Sequence, residues 1–138
     1  MTIQFSNTLT IDRAPADVFA YLADFENLSA WNYAIASTRK LDDGPVGVGS
    51  RYAQVRTVPK HSEESFEVVE FDPVSRLGIR GRFAVFPGEL SYLIEPDGSG
   101  TRLTNTVSLN GPRLAARPIR SAVAANLGVL KQLLEAHA

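Results

Sequence analysis

Cysteine is absent from the 138-residue sequence, and histidine occurs only twice. The lack of cysteine excludes disulfide bonds, thiolate metal ligands and a cysteine nucleophile. His61 lies in a polar run and His137 is the penultimate residue, so both are predicted to be solvated. No pair of histidine or carboxylate residues has metal-ligand spacing, and neither a metal nor another cofactor is expected. Any enzymatic mechanism would therefore depend on carboxylates, tyrosines, amides or arginines.

The sequence also lacks an excess of charge and a long apolar run. The sequence contains 14 Lys and Arg residues and 15 Asp and Glu residues, which gives a formal net charge of −1. This balance argues against nucleic acid as a partner, because binding to the phosphate backbone depends on clustered positive charge. There is no stretch of ~18 apolar residues, and residues 1–6 do not resemble a signal peptide. We expect one soluble domain over residues 1–138, located in the cytoplasm and without an integral membrane segment.

The apolar pattern predicts a sheet of seven strands and three helices. A period of two over residues 2–12 indicates the first strand, and helical spacing at 15–23 and 25–30 indicates two short helices. Six further strands are predicted at 34–41, 50–58, 65–71, 76–83, 89–95 and 102–109. The breaks between them are short and rich in turn formers, including Pro87-Gly88, which favours antiparallel pairing.

The last segment, from Gly111 onward, has the apolar stripe of one long helix. Pro118 is expected to break or kink its first turn, so that a short N-terminal piece precedes the main helix. This helix is the only element large enough to cover a seven-stranded sheet, and a straight helix cannot follow a twisted sheet along its whole length. Because Asn105 and Asn126 lie on otherwise apolar faces, we expect a cavity with a few polar groups, which is typical of small-molecule sites.

Several segments resemble a known family: IDRAPADVFAYLAD at 11–24, LSAWN at 28–32, GVGSRY at 47–52, EFDP at 70–73 and GSGTRLT at 98–104. They are similar to polyketide cyclase/dehydrase and lipid-transport proteins of the START and birch-pollen-allergen superfamily. The resemblance spans nearly the entire chain. It implies an α+β helix-grip fold, in which a curved antiparallel sheet wraps around the C-terminal helix and encloses a hydrophobic cavity. Members of the superfamily bind lipids, polyketides, steroids or quinones, and a minority catalyse cyclisation or dehydration.

The strand at 50–58 is ambiguous by period, but the resemblance implies that Tyr52, Gln54 and Arg56 face inward. A buried Arg56 needs a partner, which Glu67 on the next strand could supply. The alternative, that Arg56 and Glu67 pair on the outer face of the sheet, stays open at this point.

The leading hypothesis is that the cavity binds a small hydrophobic molecule, such as a lipid, polyketide, steroid or quinone-like compound. The predicted ligand-binding residues are Trp31, Tyr33, Tyr52, Gln54, Arg56, Ile79, Phe83, Tyr92, Asn105, Val107, Ile119, Val123, Asn126 and Leu127. One alternative is a cyclase or dehydratase, with Tyr92 or the Arg56–Glu67 pair moving protons. Another is a module that binds a peptide or a protein partner in an apolar groove, and self-association into a homodimer is also open.

Overall fold

The structure, a computed structural model, describes residues 2–137 of the chain. Strands are formed by Thr2–Ile11 (β1), Ile35–Lys40 (β2), Arg51–Arg56 (β3), Ser62–Asp72 (β4), Arg76–Phe83 (β5), Phe86–Asp97 (β6) and Gly100–Asn110 (β7). The helices are Pro15–Ala23 (α1), Leu28–Trp31 (α2) and Ala116–Ala136 (α3). Short 3-10 turns at Phe25–Asn27 and Arg113–Ala115 precede α2 and α3.

All seven strands belong to one antiparallel sheet, in the order β1-β7-β6-β5-β4-β3-β2. From β2 to β7 each strand pairs with the next one along the chain, and β1 closes the far edge by pairing with β7. Register shifts between Ile35 and Ser37 and between Val68 and Glu70 interrupt the ladder, and such bulges increase the bend of a sheet. The predicted α+β helix-grip architecture, with two short helices after the first strand, is confirmed.

The helix α3 crosses the concave face of the sheet. Its buried residues include Leu127, Leu130 and Leu134, at the spacing of one helical face. A short piece does precede the main helix, as the 3-10 turn at Arg113–Ala115, but Pro118 is the third residue of α3 and does not interrupt it. The first turn of a helix has no intrahelical partners for its N–H groups, so a proline there removes no hydrogen bond.

The turn between β5 and β6 differs from the prediction. The chain reverses at Ala84 and Val85, not at Pro87-Gly88, and β6 resumes at Phe86. The β6–β7 ladder begins with the pair Gly88 and Leu109, so Pro87 lies just outside it, where a missing N–H is tolerated. Gly88 is required by packing, since a Cβ there would lie 2.1 Å from the carbonyl oxygen of Ser108. Both residues therefore belong to a strand despite their usual preference for turns.

Candidate ligand-binding cavity

A cavity of about 510 Å³ lies between the concave face of the sheet and the helices α2 and α3. Most of its wall is apolar. The sheet contributes Ile79, Leu90, Val107 and Leu109, and α3 contributes Ile119, Ala122, Val123 and Leu127. This is the space that a straight helix laid on a curved sheet was expected to leave.

The two halves of α3 explain where the space lies. In the C-terminal half, Leu127, Leu130 and Leu134 are buried against the sheet and fill the gap. In the N-terminal half, Ile119, Ala122 and Val123 line the cavity and are only partly buried. The cavity therefore follows the first half of the helix.

The cavity has an exposed end and a buried end. Tyr33, Val58 and Val85 line it and are also exposed to solvent, with 61% of Tyr33 and 56% of Val85 accessible. At the other end, Asn105 is only 1% exposed, and Tyr92 is also buried. We call the first end the mouth and the second the inner end. A ligand entering at the mouth would lose most of its contact with water by the time it reached the inner end.

A buried carboxylate organises the wall near the mouth. Arg56 Nε donates to Glu64 Oε2 at 2.7 Å, Gln54 Nε2 donates to Glu64 Oε1 at 2.9 Å, and the Ala84 N–H donates to Glu64 Oε2 at 2.8 Å. The Glu64 and Arg56 side chains are 3% and 12% exposed. Their opposite charges cancel within the wall, so the ion pair adds no net charge to the cavity.

The prediction that Glu67 pairs with Arg56, on either face of the sheet, is wrong. Glu67 is exposed on the outer face, and its register neighbours are Arg51 and Arg80. Arg56 faces inward, as the resemblance implied, but its partner is Glu64. Glu64 alternates with the apolar residues Phe66 and Val68, and this pattern indicates that all three face inward. The predicted strand began at residue 65, one residue too late to include Glu64.

A row of polar residues crosses three strands at the inner end. Asn7 on β1 lies opposite Asn105 on β7, which in turn lies opposite Tyr92 on β6. Asn105 Nδ2 donates to the Ser91 carbonyl oxygen at 3.4 Å. Among the described residues, Asn105 Oδ1 and Asn7 Nδ2 have no hydrogen-bond partner, although both are buried. Leaving such an atom unsatisfied costs about 1–3 kcal/mol. The two atoms are a donor and an acceptor on opposite residues, so a small rotation of either side chain would let them satisfy each other.

Tyr92 completes this row. It borders the cavity, and no residue between 2 and 137 forms a hydrogen bond with its hydroxyl group. Burial alone raises the pKa of the Tyr92 hydroxyl well above its ordinary value of 10.0. The group is therefore neutral at physiological pH and able to donate or accept a hydrogen bond.

Asn126 connects the long helix to the mouth. Its Oδ1 accepts a hydrogen bond of 3.4 Å from the Tyr33 N–H. Trp31, at the end of α2, is buried and forms part of the cavity wall. The segment between α2 and β2 is thus fixed to α3 next to the point where the cavity opens.

All of the predicted ligand-binding residues except Tyr52 border the cavity. Tyr52 faces inward, but its ring stacks on Phe66 at 5.1 Å and meets Phe25 edge-on at 5.2 Å, so it belongs to the aromatic core. Loop residues at the mouth, including Val58, Pro59, Ala84 and Val85, also line the cavity and were not among the predicted residues. They have no periodic pattern, because loops carry none. That the lining residues bind a ligand stays a prediction.

Two kinds of feature are absent from residues 2–137. No helix in this part of the chain has both the length and the hydrophobicity needed to span a membrane. The same residues contain no group of three or more histidine and carboxylate side chains placed to hold a metal ion.

Solved structures with the same fold come from several sources. TTHA0849 from Thermus thermophilus is 19% identical, with a TM-score of 0.77 over 100% of this chain and 99% of that one. Ara h 8.0201 is 14% identical, with a TM-score of 0.77 over 97% and 98% of the two chains. The di-domain ARO/CYC StfQ from the steffimycin biosynthetic pathway is 13% identical, with a TM-score of 0.79, and this chain covers 52% of it. At these identities, the similarity shows a shared fold.

Sequence comparison identifies the family. No curated protein matches the sequence. The family described as polyketide cyclase / dehydrase and lipid transport matches residues 2–135, which is nearly the whole chain. The chain therefore belongs to the polyketide cyclase / dehydrase and lipid transport family.

Proposed function

We propose that this protein binds a small, largely hydrophobic molecule in the cavity between the sheet and α3. The observation that carries the proposal is the cavity itself, which has a volume of about 510 Å³ and a mainly apolar wall. Pockets for small organic ligands usually have ~300–1,000 Å³ and a few polar groups on an apolar lining. A lipid, polyketide, steroid or quinone-like compound has the corresponding chemistry, and such ligands fit the family to which the chain belongs.

The contacts within the cavity favour binding over catalysis. The inward-facing carboxylate, Glu64, already accepts hydrogen bonds from Arg56, Gln54 and Ala84, so its oxygens are engaged by the protein instead of facing a substrate. The raised pKa of Tyr92 keeps its proton in place at neutral pH, and no described residue is hydrogen-bonded to its hydroxyl to receive that proton. A cyclase or dehydratase would need a group that gains or loses a proton near neutral pH.

The buried inner end also favours a small molecule over a peptide. An extended peptide needs a groove that is open along its length. Here Asn105 and Tyr92 are buried beneath α3, so a guest has to be short enough to enter from the mouth. A cytoplasmic location and association into a homodimer stay predictions.

Filling the cavity tests the proposal. Ala122 lines the cavity, whereas Ala125, on the same helix, is exposed and does not line it. The Ala122→Trp variant places an indole ring in the binding space, and Ala125→Trp places the same ring in solvent. Titration with the neutral fluorescent probe N-phenyl-1-naphthylamine should show binding to the wild-type protein and to Ala125→Trp. For Ala122→Trp we expect at least a roughly tenfold loss of affinity, because the ring occupies the apolar volume that the probe needs.

The thermal midpoint of each variant, measured by circular dichroism, shows whether Ala122→Trp is folded. Equal affinity of the two folded variants for the probe would contradict the proposal. So would a wild-type protein that binds neither this probe nor any molecule retained from its host in native mass spectrometry.

A further inference from the structure

Exposed apolar side chains surround the mouth of the cavity. Leu114, in the 3-10 turn before α3, is 94% exposed, and Tyr33, Val85 and Val58 are 61%, 56% and 39% exposed. Single exposed apolar residues are common on protein surfaces, but several of them in one place usually mark a site of interaction. We call these four side chains the rim.

Two of the loops that carry the rim are joined by the backbone. The Thr57 N–H donates a hydrogen bond to the Ala34 carbonyl oxygen at 2.8 Å. Thr57 precedes Val58, and Ala34 follows Tyr33, so the two side chains belong to adjoining loops. Both side chains also border the cavity.

The other two loops of the rim also pack against each other. A Cβ on Gly111 would lie 2.8 Å from the ring of Phe86, so the segment before α3 passes directly beside the turn that contains Val85. Ala115, the neighbour of Leu114, lines the same cavity as Val85. All four loops therefore meet at one end of the molecule, around the mouth.

The same loops carry positive charge. Lys60, Arg113 and Arg117 are exposed, and none of them forms an ion pair with another described residue. The segments that carry the rim contain neither Asp nor Glu; they are 32–34, 57–61, 84–85 and 111–118. Of the carboxylates that follow Lys60, Glu63 faces the outer side of the sheet and Glu64 is already paired. The mouth is thus positive in a chain whose formal net charge is −1.

This combination favours a lipid surface as the partner. In a symmetric dimer built on the rim, the same cations of the two copies would face one another, which is unfavourable. The rim side chains come from separate loops around an opening, whereas a helix or strand of a partner needs a continuous groove or a free sheet edge. A bilayer with anionic headgroups offers apolar chains and negative charge in one surface and demands no particular shape.

We propose that the rim docks the protein on an anionic lipid bilayer. Leu114 and the other rim side chains enter the headgroup region, and Lys60, Arg113 and Arg117 lie beside the anionic headgroups. The proposal goes beyond the binding of a ligand, because it assigns a partner to a surface outside the cavity. The mouth then faces the membrane, so a hydrophobic molecule passes between the bilayer and the cavity without crossing bulk water.

Co-sedimentation with lipid vesicles tests the proposal. Vesicles of phosphatidylcholine with about 30% phosphatidylserine should bind the wild-type protein. Vesicles of phosphatidylcholine alone should bind it at least roughly tenfold more weakly, because each Lys or Arg near an anionic surface contributes about fivefold to the affinity.

Removal of one apolar side chain tests the role of the rim. Leu114→Ser should weaken binding to the anionic vesicles by at least roughly fivefold, because a buried leucine side chain contributes strongly to partition into lipid. Val48→Ser is the matched control. Val48 is 70% exposed and precedes β3, whose other end, at Arg56, borders the cavity. Val48→Ser should therefore bind as the wild-type protein does.

Removal of two cations tests the role of charge. Arg113→Ser/Arg117→Ser should lose roughly tenfold or more in affinity for the anionic vesicles. Arg39→Ser/Arg76→Ser removes the same net charge from the ends of β2 and β5 that lie away from the mouth. This second double variant should stay within about twofold of the wild-type protein, because charges far from the bilayer are screened.

The possible outcomes are distinguishable. If the wild-type protein binds neither kind of vesicle, the proposal is overturned, and an acidic protein is left as the partner for the rim. Equal losses in the rim variants and their matched controls would overturn it too. Leu114 does not line the cavity, so Leu114→Ser without vesicles should bind N-phenyl-1-naphthylamine as the wild-type protein does. If Leu114→Ser fails to bind this probe, the Arg113→Ser/Arg117→Ser variant decides. A wild-type protein that binds vesicles but not the probe contradicts only the proposed function.

Discussion

At the scale of single residues, the carboxylate of Glu64 connects several parts of the cavity wall. It accepts hydrogen bonds from Gln54 and Arg56 on β3 and from Ala84 in the turn after β5. It thereby neutralises an arginine within the wall of the cavity and connects two elements on either side of β4. A buried ion pair adds little net stability, but the loss of one partner leaves an uncompensated charge.

Replacement of this one carboxylate should weaken the fold measurably. Glu64→Gln keeps the shape of the side chain but changes charge-assisted hydrogen bonds into neutral ones and leaves the Arg56 charge unpaired, so we expect a loss of about 2 kcal/mol. Glu67→Gln, the matched change on the exposed face of the same strand, should stay within about 0.5 kcal/mol of the wild-type protein. Urea unfolding followed by the fluorescence of Trp31, the single tryptophan, measures both free energies. Equal free energies of unfolding would show that the Glu64 contacts are unimportant.

The choice between Glu64 and Glu67 shows how far the sequence can locate a site residue. An inward-facing Arg56 requires a carboxylate nearby, and that part of the prediction follows from charge alone. Which carboxylate it is depends on the register of β3 against β4, in which Gln54 lies opposite Glu64. Register is set by contacts between strands, and a shift of one residue moves every side chain to the other face. The strand, taken by itself, did not contain this information.

At the scale of elements, the turn between β5 and β6 is strained. Ala84 and Val85 have φ values of +51° and +70°, in the left-handed region that disfavours residues with a Cβ and most of all β-branched ones. Two-residue hairpins of this kind normally use Asn-Gly. Here Ala84 is held by Glu64 and Val85 is exposed at the mouth. The strain is thus located where a ligand would enter, a place where proteins often retain it.

Replacing this turn with Asn-Gly should relieve the strain. The double variant Ala84→Asn/Val85→Gly gives the turn residues that tolerate a positive φ, and we expect a gain of about 1 kcal/mol after the entropy cost of the new glycine. The reverse change, Gly98→Ala in the β6–β7 turn, forces a Cβ onto a φ of +61° and should lose about 1 kcal/mol. Urea unfolding of the two variants measures these changes, and a double variant no more stable than the wild-type protein would contradict the argument.

The turns also show which elements a sequence can predict. Where the turn formers are exposed and pack against nothing, as at Gly98, the predicted turn is confirmed. At Pro87-Gly88 the same residue types lie in a strand, because Gly88 admits the Ser108 backbone and Pro87 lies just beyond the β6–β7 ladder. That requirement comes from the neighbouring strand β7. A pattern in one segment therefore does not distinguish a glycine needed for a turn from a glycine needed for close packing.

At the scale of the whole molecule, the order of the elements predicts the fold and the existence of a cavity between α3 and the sheet. It does not predict the volume of that cavity. A single long helix after seven antiparallel strands has to cover their concave face. The volume depends on which half of α3 reaches the sheet. Leucines at 127, 130 and 134 close one half, and Ala122 with its neighbours leaves the other open. The curvature that decides this comes from bulges such as the one between Val68 and Glu70, which no local sequence pattern marks.

Two buried tyrosines link the ionisation of side chains to the stability of the whole fold. Burial, followed by the charges of Asp24, Glu26 and Asp42, raises the pKa of Tyr52 from 10.0 to about 12. Burial alone raises the pKa of Tyr92 further. In the unfolded chain both hydroxyls titrate near their ordinary value of about 10. Above that pH the unfolded state loses these protons while the folded state keeps them, so the unfolded state becomes relatively more stable.

The free energy of unfolding should therefore fall as the pH rises from 10 towards 12, and stay unaffected by these tyrosines below about pH 9, where both states are protonated. Each buried tyrosine contributes up to about 1.4 kcal/mol per pH unit to this slope. Lysine residues titrate in the same range, so the comparison is between the wild-type protein and Tyr92→Phe, which share every lysine. Urea unfolding at intervals from pH 8 to 11.5 should give parallel curves up to about pH 9, above which Tyr92→Phe loses stability less steeply. Curves that stay parallel to pH 11.5 would contradict this expectation. They would show that the Tyr92 hydroxyl ionises as readily in the folded protein as in the unfolded chain, and therefore that water reaches the inner end of the cavity.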